Sequence, residues 1–194
     1  MNKISLSPNN DFCPQTLFLY GTYDEDGNPN FGLFCWSSYY WDNELGFMTC
    51  IGGDKLTRDR INATGVFSAN LVTEKLLPLA DLLGNTEGRN GGKKGLDISS
   101  EKGRVLNVPI LTDSPVSFEL EVSKTIETGD GVVYLCKIRN VLQDEFLRDE
   151  NAPLQERITN ASPIHTACET YFSYDGKILG AWGEPQKLFP RSAQ

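Results

Sequence analysis

Residues 116–123 alternate without a break: Val116, Phe118, Leu120 and Val122 are apolar, while Ser117, Glu119, Glu121 and Ser123 are polar. A period of two sends these sets to opposite faces of an extended chain and predicts a half-buried antiparallel strand. Asp-Gly pairs, which tolerate the positive φ of tight turns, stand at Asp26-Gly27, Asp130-Gly131 and Asp175-Gly176. Each is a hairpin candidate. The first joins Gln15–Tyr23 to Pro29–Ser37, the second Val116–Lys124 to Val132–Val141, and the third Thr166–Tyr174 to Lys177–Trp182. With Leu45–Ile51 and Gly65–Val72 the tally is seven or eight strands, mostly linked by hairpins. That favours a barrel or sandwich over a parallel α/β sheet.

Helices are few. Lys55–Ala63 is one, with Asp54 to cap it and Gly65 to end it. Glu74–Leu83 is the second, with Gly84 as its stop; Pro78 shifts its expected start toward Leu77. Residues 84–95 hold five glycines with Arg89, Lys93 and Lys94, which reads as a mobile surface loop. No repeat or linker divides residues 1–194, so one domain is expected.

Composition removes several function classes. The net charge of -8 argues against a nucleic-acid partner, because phosphate contacts need clustered Lys and Arg. No apolar run approaches the roughly 20 residues that span a bilayer. Met1–Asn10 is polar and lacks a signal-peptide layout, so the expected location is cytoplasmic. Five scattered cysteines without a CxxC pair suggest neither a disulfide framework nor a zinc site, and most read as small buried hydrophobes. His165 is the single histidine, which sets aside Ser-His-Asp and Cys-His catalysis and makes metal chemistry improbable. The acidic run Asp144–Glu150 reads as a solvated turn.

Two segments carry chemistry. In Cys50-Ile51-Gly52-Gly53-Asp54-Lys55-Leu56-Thr57-Arg58 a strand ends, glycines turn the backbone, and a helix opens with Lys, Thr and Arg. Free N–H groups and the positive end of the helix dipole make such a start an anion site, to which Lys55 and Arg58 add charge and Thr57 a hydroxyl. A surface helix with solvated cations fits the segment equally well. The stretch Phe31–Trp41 places aromatics beside small hydroxyl residues and suits either a slot for a planar heterocycle or a core strand. Phosphate and heterocycle candidates without an acid–base set are the pattern of a protein whose cofactor supplies the chemistry.

The order of these elements resembles the flavin reductase-like family. Asp24-Glu25-Asp26-Gly27-Asn28-Pro29-Asn30 followed by Cys35-Trp36-Ser37 resembles the family's opening block. Lys55–Ile61 and Thr64-Gly65-Val66-Phe67-Ser68-Ala69-Asn70 are similar to its central block, Gly88-Arg89 with Lys93 to a later loop, and Val108–Val116 to the lead into a barrel strand. The resemblance implies a mainly β chain, an FMN-binding split β-barrel of antiparallel, Greek-key type with a few short helices, and usually a homodimer with flavin sites near the interface. By position, Phe34, Cys35, Trp36, Ser37 and Ser38 would lie along the isoalloxazine and ribityl chain. Gly52, Gly53, Lys55, Thr57 and Arg58 would surround the phosphate. Asn70 would close the site, with Arg89 and Lys93 reaching in from the glycine-rich loop. Two departures stand out: Trp41-Asp42-Asn43-Glu44 where many relatives carry Pro-Pro, and Glu87 where Ser is usual. The function implied is an FMN flavoprotein of the NAD(P)H-dependent flavin reductase type, with NADH or NADPH as donor and FAD as an alternative flavin. The rival is an FMN-carrying electron-transfer protein, docked by a redox partner at Tyr39, Tyr40 and Trp41.

Overall fold

The computed structural model of the chain describes residues 2–89 and 91–185. Asn90, within the glycine-rich loop, and the last residues of the expected single domain lie outside them. Twelve strands and three α-helices are present among the described residues, so the chain is mainly β, as expected. The strands are β1 (Gln15–Thr16), β2 (Phe18–Tyr23), β3 (Pro29–Phe34), β4 (Ser37–Trp41), β5 (Leu45–Gly52), β6 (Val66–Leu71), β7 (Ser100–Lys102), β8 (Pro109–Leu111), β9 (Val116–Thr128), β10 (Gly131–Gln143), β11 (Ile164–Ala167) and β12 (Thr170–Ser173). The helices are α1 (Leu56–Thr64), α2 (Leu77–Asn85) and α3 (Leu154–Ala161).

One antiparallel sheet runs in the order β3-β2-β6-β9-β10-β5-β4. Its two edges, β3 and β4, are neighbours in sequence, joined only by Cys35 and Trp36. The sheet curls to bring them near each other. Phe18 on β2 meets Phe47 on β5 edge-on at 5.6 Å although these strands share no ladder. Tyr20, Ile61 of α1, Phe67, Leu120, Val132 and Tyr134 complete this inner core. The outer face of β2 and β3 carries a second core, in which Leu19, Phe31 and Leu33 pack on Ala80 and Leu83 of α2 and on Leu111. Alternation along β2 thus buries both faces, Phe18 and Tyr20 inward and Leu19 outward.

β9 is also covered on both faces, where the alternation of residues 116–123 predicts burial on one. Ser117 and Glu119 are as inaccessible as Leu120. The segment between β7 and β8 lies over them, and the Glu119 carboxylate accepts the backbone N–H groups of Arg104 (2.9 Å), Val105 (2.9 Å) and Leu106 (2.6 Å) and the Asn140 amide (2.7 Å). Burial alone would raise its pKa. The Asn140 amide and the three N–H donors outweigh that and hold Glu119 below the usual glutamate value.

The turns differ from expectation in instructive ways. Gly27 (φ 81°) turns the β2–β3 hairpin as the Asp26-Gly27 pair predicts. In the β9–β10 hairpin Thr128 pairs with Gly131, so the turn residues are Gly129 (φ 56°) and Asp130, one position earlier than Asp130-Gly131. The third hairpin turns at Cys168-Glu169, both at positive φ, and joins β11 to β12; residues 177–182 form no strand. Helix α1 starts after Lys55, whose backbone is extended, and Asp54 makes no cap; Gly65 (φ 71°) closes the helix onto Ile61. Helix α2 carries Pro78 in its first turn, where a missing N–H costs least. It runs through Gly84 instead of stopping there, and the glycine serves close packing: a Cβ at Gly84 would press on the Leu33 side chain at 3.0 Å. Neither α3 nor the 3-10 turn at Glu145–Arg148 is anticipated from the sequence. No helix among the described residues is long and apolar enough to cross a membrane.

Glu119→Gln should lower stability by about 2 kcal/mol, given roughly 1.5–3 kcal/mol for a hydrogen bond to a charged group. A folded-state pKa held low contributes stability above the unfolded value of about 4.3, lost as pH falls through the folded one. Urea unfolding of both proteins should therefore show a gap that is full at neutral pH and narrows below about pH 4.

Candidate functional site

Where α1 begins, its first backbone N–H groups have no partner inside the helix, and no side chain caps them. This start faces the outer edge strand β3. The approach is close because β3 has glycine at position 32: a Cβ there would lie 2.9 Å from Oγ1 of Thr57. Thr57 is buried, and its hydroxyl lies 3.5 Å from the Asn30 amide on β3. The end of α2 and residues 86–88 form the opposite wall. The result is an open cleft of about 340 Å³, lined by Asn30, Gly32, Phe34, Lys55, Thr57 and Lys93 together with Leu33, Leu56 and Leu83–Gly88.

The cleft is locally cationic in a protein of net charge -8. Lys93 reaches in from the glycine-rich loop and donates to the Phe31 carbonyl at 2.7 Å. Burial draws its ammonium below the usual lysine pKa; Glu87 opposes this and Lys55 adds to it. Among the described residues Lys55 has no carboxylate within ion-pair distance. Two cations and an uncapped helix start lining one cleft, with Glu87 its one carboxylate, suit an anion. A bound anion would also relieve the Lys55–Lys93 repulsion.

Above this wall lies the junction between the two sheet edges. Phe34, the last residue of β3, stacks on Tyr20 at 4.7 Å with 14° between rings. Cys35 is half-buried against the outer core, and burial pushes its thiol pKa up. The Cys35 carbonyl accepts from Ser37 N–H (2.9 Å) and the Trp36 carbonyl from Cys50 N–H (2.9 Å), so the chain turns tightly into β4. The Trp36 ring is half-exposed and covers Gly52, where an added Cβ would meet it at 3.5 Å. Ser37 and Ser38 begin β4 opposite Thr49 and Met48, with Ser38 exposed.

Of the residues singled out from sequence, Phe34, Lys55, Thr57 and Lys93 share the cleft, and Cys35, Trp36, Ser37, Ser38 and Gly52 stand at the adjoining junction. Four others are engaged elsewhere. Gly53, at φ 70°, donates its N–H to the Asp130 carbonyl at 3.1 Å, which makes it a turn residue without a free donor. Arg58 binds the same carbonyl at 3.1 Å and sits 3.7 Å from Asp54, in an acidic surface recess with Asp59 and Glu127. Arg89 is ion-paired with Asp54 and Asp59, fastening the glycine-rich loop to α1. Asn70 lies wholly inside the protein. Its amide donates to Leu19 O (2.9 Å) and Ser68 Oγ (2.9 Å), and its Oδ1 accepts Leu111 N–H (3.0 Å) and Ser117 Oγ (2.8 Å). With every polar atom satisfied, Asn70 ties β2, β6, β8 and β9 together and is a structural residue.

Sequence reasoning did not assign Asn30, Gly32 or the Leu83–Gly88 wall to the site, although Asn30, Glu87 and Gly88 fall at positions compared with the family. Glycine inside a strand signals close backbone approach, and Gly32 offered that signal. In the Leu83–Gly88 wall only Glu87 and Gly88 carried a signal, through the resemblance; residues 83–86 offered none, because a helix end declares nothing about what it faces.

Comparison with known proteins gives the family and the fold. The family model described as "Flavin reductase like domain" matches residues 11–156. Flavoredoxin of Desulfovibrio vulgaris (Miyazaki F) is similar in structure with a TM-score of 0.83 at 23% identity, covering 95% of this chain and 100% of that one. Flavoredoxin from Methanosarcina acetivorans gives 0.84 at 19%, covering 97% and 100%. An FMN-binding protein from Thermus thermophilus, solved with p-hydroxybenzaldehyde, gives 0.75 at 20%, covering 93% and 98%. At these identities the likeness is one of fold. An uncharacterized protein of Aeropyrum pernix is 29% identical over 99 residues, which are 50% of this chain and 38% of that protein's length.

Asn70→Ala should destabilise the fold by about 2–4 kcal/mol, since it leaves several buried groups unpaired at roughly 1–3 kcal/mol each. A urea titration checks this; a loss below about 1 kcal/mol would remove its structural role.

Proposed function

The chain belongs to the flavin reductase-like family, and we propose that it binds FMN in the cleft between β3, the start of α1 and the end of α2. The observation that carries this is that the uncapped α1 terminus, the Thr57 hydroxyl, Lys55 and Lys93 line one cleft beside an aromatic junction. Lys55 and the backbone N–H groups of the first turn of α1 hold the phosphate, and Thr57 donates its hydroxyl. Lys93 closes the pocket from the loop side. Phe34, Cys35, Trp36, Ser37 and Ser38 border the ribityl chain and the ring system. Gly52 admits the Trp36 ring, while Gly53, Arg58, Arg89 and Asn70 support the site from behind.

Bound there, the flavin supplies hydride and electron transfer at its ring system. The protein contributes position and charge. Leu33, Phe34 and Leu83 give the cleft an apolar side that keeps water from the bound ring, and the two lysines favour an anionic ligand. The donor in this reading is NADH or NADPH, which makes the protein an NAD(P)H-dependent flavin reductase. FAD would use the same phosphate wall.

A second reading, an FMN-carrying electron-transfer protein, has its own observation. Edge strand β4 exposes Tyr39 and Trp41, the latter 75% accessible, next to Trp36 and Leu45. Such an aromatic edge suits either a second copy of the chain, as in the expected homodimer, or a redox partner.

Titration of the protein with FMN, followed by flavin fluorescence, should show saturable binding and a rise in melting temperature. Lys55→Ala with Thr57→Ala should weaken binding by about 3 kcal/mol, roughly a hundredfold, whereas Arg58→Ala should leave it nearly unchanged. Equal affinity of the double variant and the wild type would move the phosphate elsewhere. Stopped-flow mixing of the holoprotein with NADH and NADPH then separates the readings: fast bleaching supports the reductase, and a stable oxidised spectrum supports the carrier.

A further inference from the structure

Away from the cleft, two cysteines meet at the open end of the three-stranded sheet β1-β11-β12. The ladder pairs Gln15 with Thr166 and Thr16 with His165. Just beyond the ends of these two strands stand Cys13, two residues before Gln15, and Cys168, two residues after Thr166. A tight turn holds Cys13 there, its N–H donating to the Asn10 carbonyl at 3.2 Å. The Phe12 N–H, next in the chain, donates to Sγ of Cys168 at 3.3 Å, so the Cys168 sulfur lies against the Phe12–Cys13 backbone.

Accessibility singles out the same pair. Cys13 and Cys168 are exposed, Cys35 and Cys50 are half-buried, and Cys136 is buried. Cys168 also occupies a turn at positive φ beside Glu169, outside the regular ladder. None of this serves the flavin cleft.

We infer that Cys13 and Cys168 form a dithiol site that closes to an intramolecular disulfide with hydroperoxides. The Cys168 thiolate attacks an oxygen of hydrogen peroxide, forming S–O and breaking O–O. The Cys13 thiolate then attacks that sulfur, forming S–S and breaking S–O. The two hydroxides released take up the two thiol protons as water. The dithiol loses two electrons and the peroxide gains them. The bond straps the N-terminal segment onto the β11–β12 hairpin, whose Tyr171 hydroxyl donates to Asp81 of α2 at 2.7 Å. That hairpin supports the helix whose end walls the cleft.

The test uses the full chain, reduced, desalted, treated with stoichiometric hydrogen peroxide, blocked by alkylation and digested without reductant. The expected product is a joined pair of peptides carrying Cys13 and Cys168, lighter by two hydrogens and separated by dithiothreitol. It should be absent from Cys13→Ser and Cys168→Ser. Both thiols remaining alkylatable, either one reaching sulfinic acid without a link, or a link to another cysteine or another copy would overturn the inference. The wild-type digest decides the question even if a variant folds poorly.

Discussion

Phe18 and Phe47 touch across the interior although their strands lie four places apart in the sheet, second and sixth in order. That contact, extended by Tyr20, Phe67 and Phe118, is what bends seven strands into a curled layer. Edge-to-face aromatic pairs contribute about 0.5–1.5 kcal/mol each beyond the area they bury. Their larger effect here is geometric. They bring the edges β3 and β4 to one side of the molecule, where the chain crosses from one to the other through Cys35 and Trp36. The open side so formed has unpaired strand edges, aromatic rings and, directly beneath, the start of α1.

Ile61 anchors α1 in that interior, and Gly32 lets the helix start come against β3. The anion wall is thus a consequence of packing: Thr57 lies one turn before Ile61 on the same helix face, so burying Ile61 aims Thr57 at the cleft. Lys55 falls just before the helix and Lys93 arrives from a loop held down by Arg89. Local charge is positive in an acidic protein because Asp54 and Asp59 are taken up by Arg58 and Arg89 on the other side of α1, which leaves Glu87 as the one carboxylate lining the cleft against Lys55 and Lys93. The cations that face outward neutralise carboxylates, and those that face inward remain available.

The parts of this arrangement that depend on near neighbours in sequence were legible. The Asp26-Gly27 hairpin, the strand–turn–helix at 45–64 and the pairing of Lys55 with Thr57 all follow from residues within a few positions. Parts that depend on distant segments were not. Alternation in β9 reports side-chain chemistry and says nothing of the segment 100–115 that folds over Ser117 and Glu119. Asn70 reads as a site residue until its partner Leu111, 41 positions away, is seen to consume its acceptor. Arg89 and Asp54, 35 positions apart, behave likewise. The Cys168-Glu169 turn escaped because αL conformation at two non-glycine residues leaves no compositional mark. Gly32 was legible in principle and was passed over within an aromatic run.

The central claim is that the Lys55–Thr57 wall binds the phosphate of a flavin. Comparing the dissociation constants of FMN and riboflavin, which differ only by that phosphate, tests it most directly. The account predicts that FMN binds about a hundredfold more tightly or better, with the difference falling as salt is raised. Equal affinities for the two flavins would contradict it.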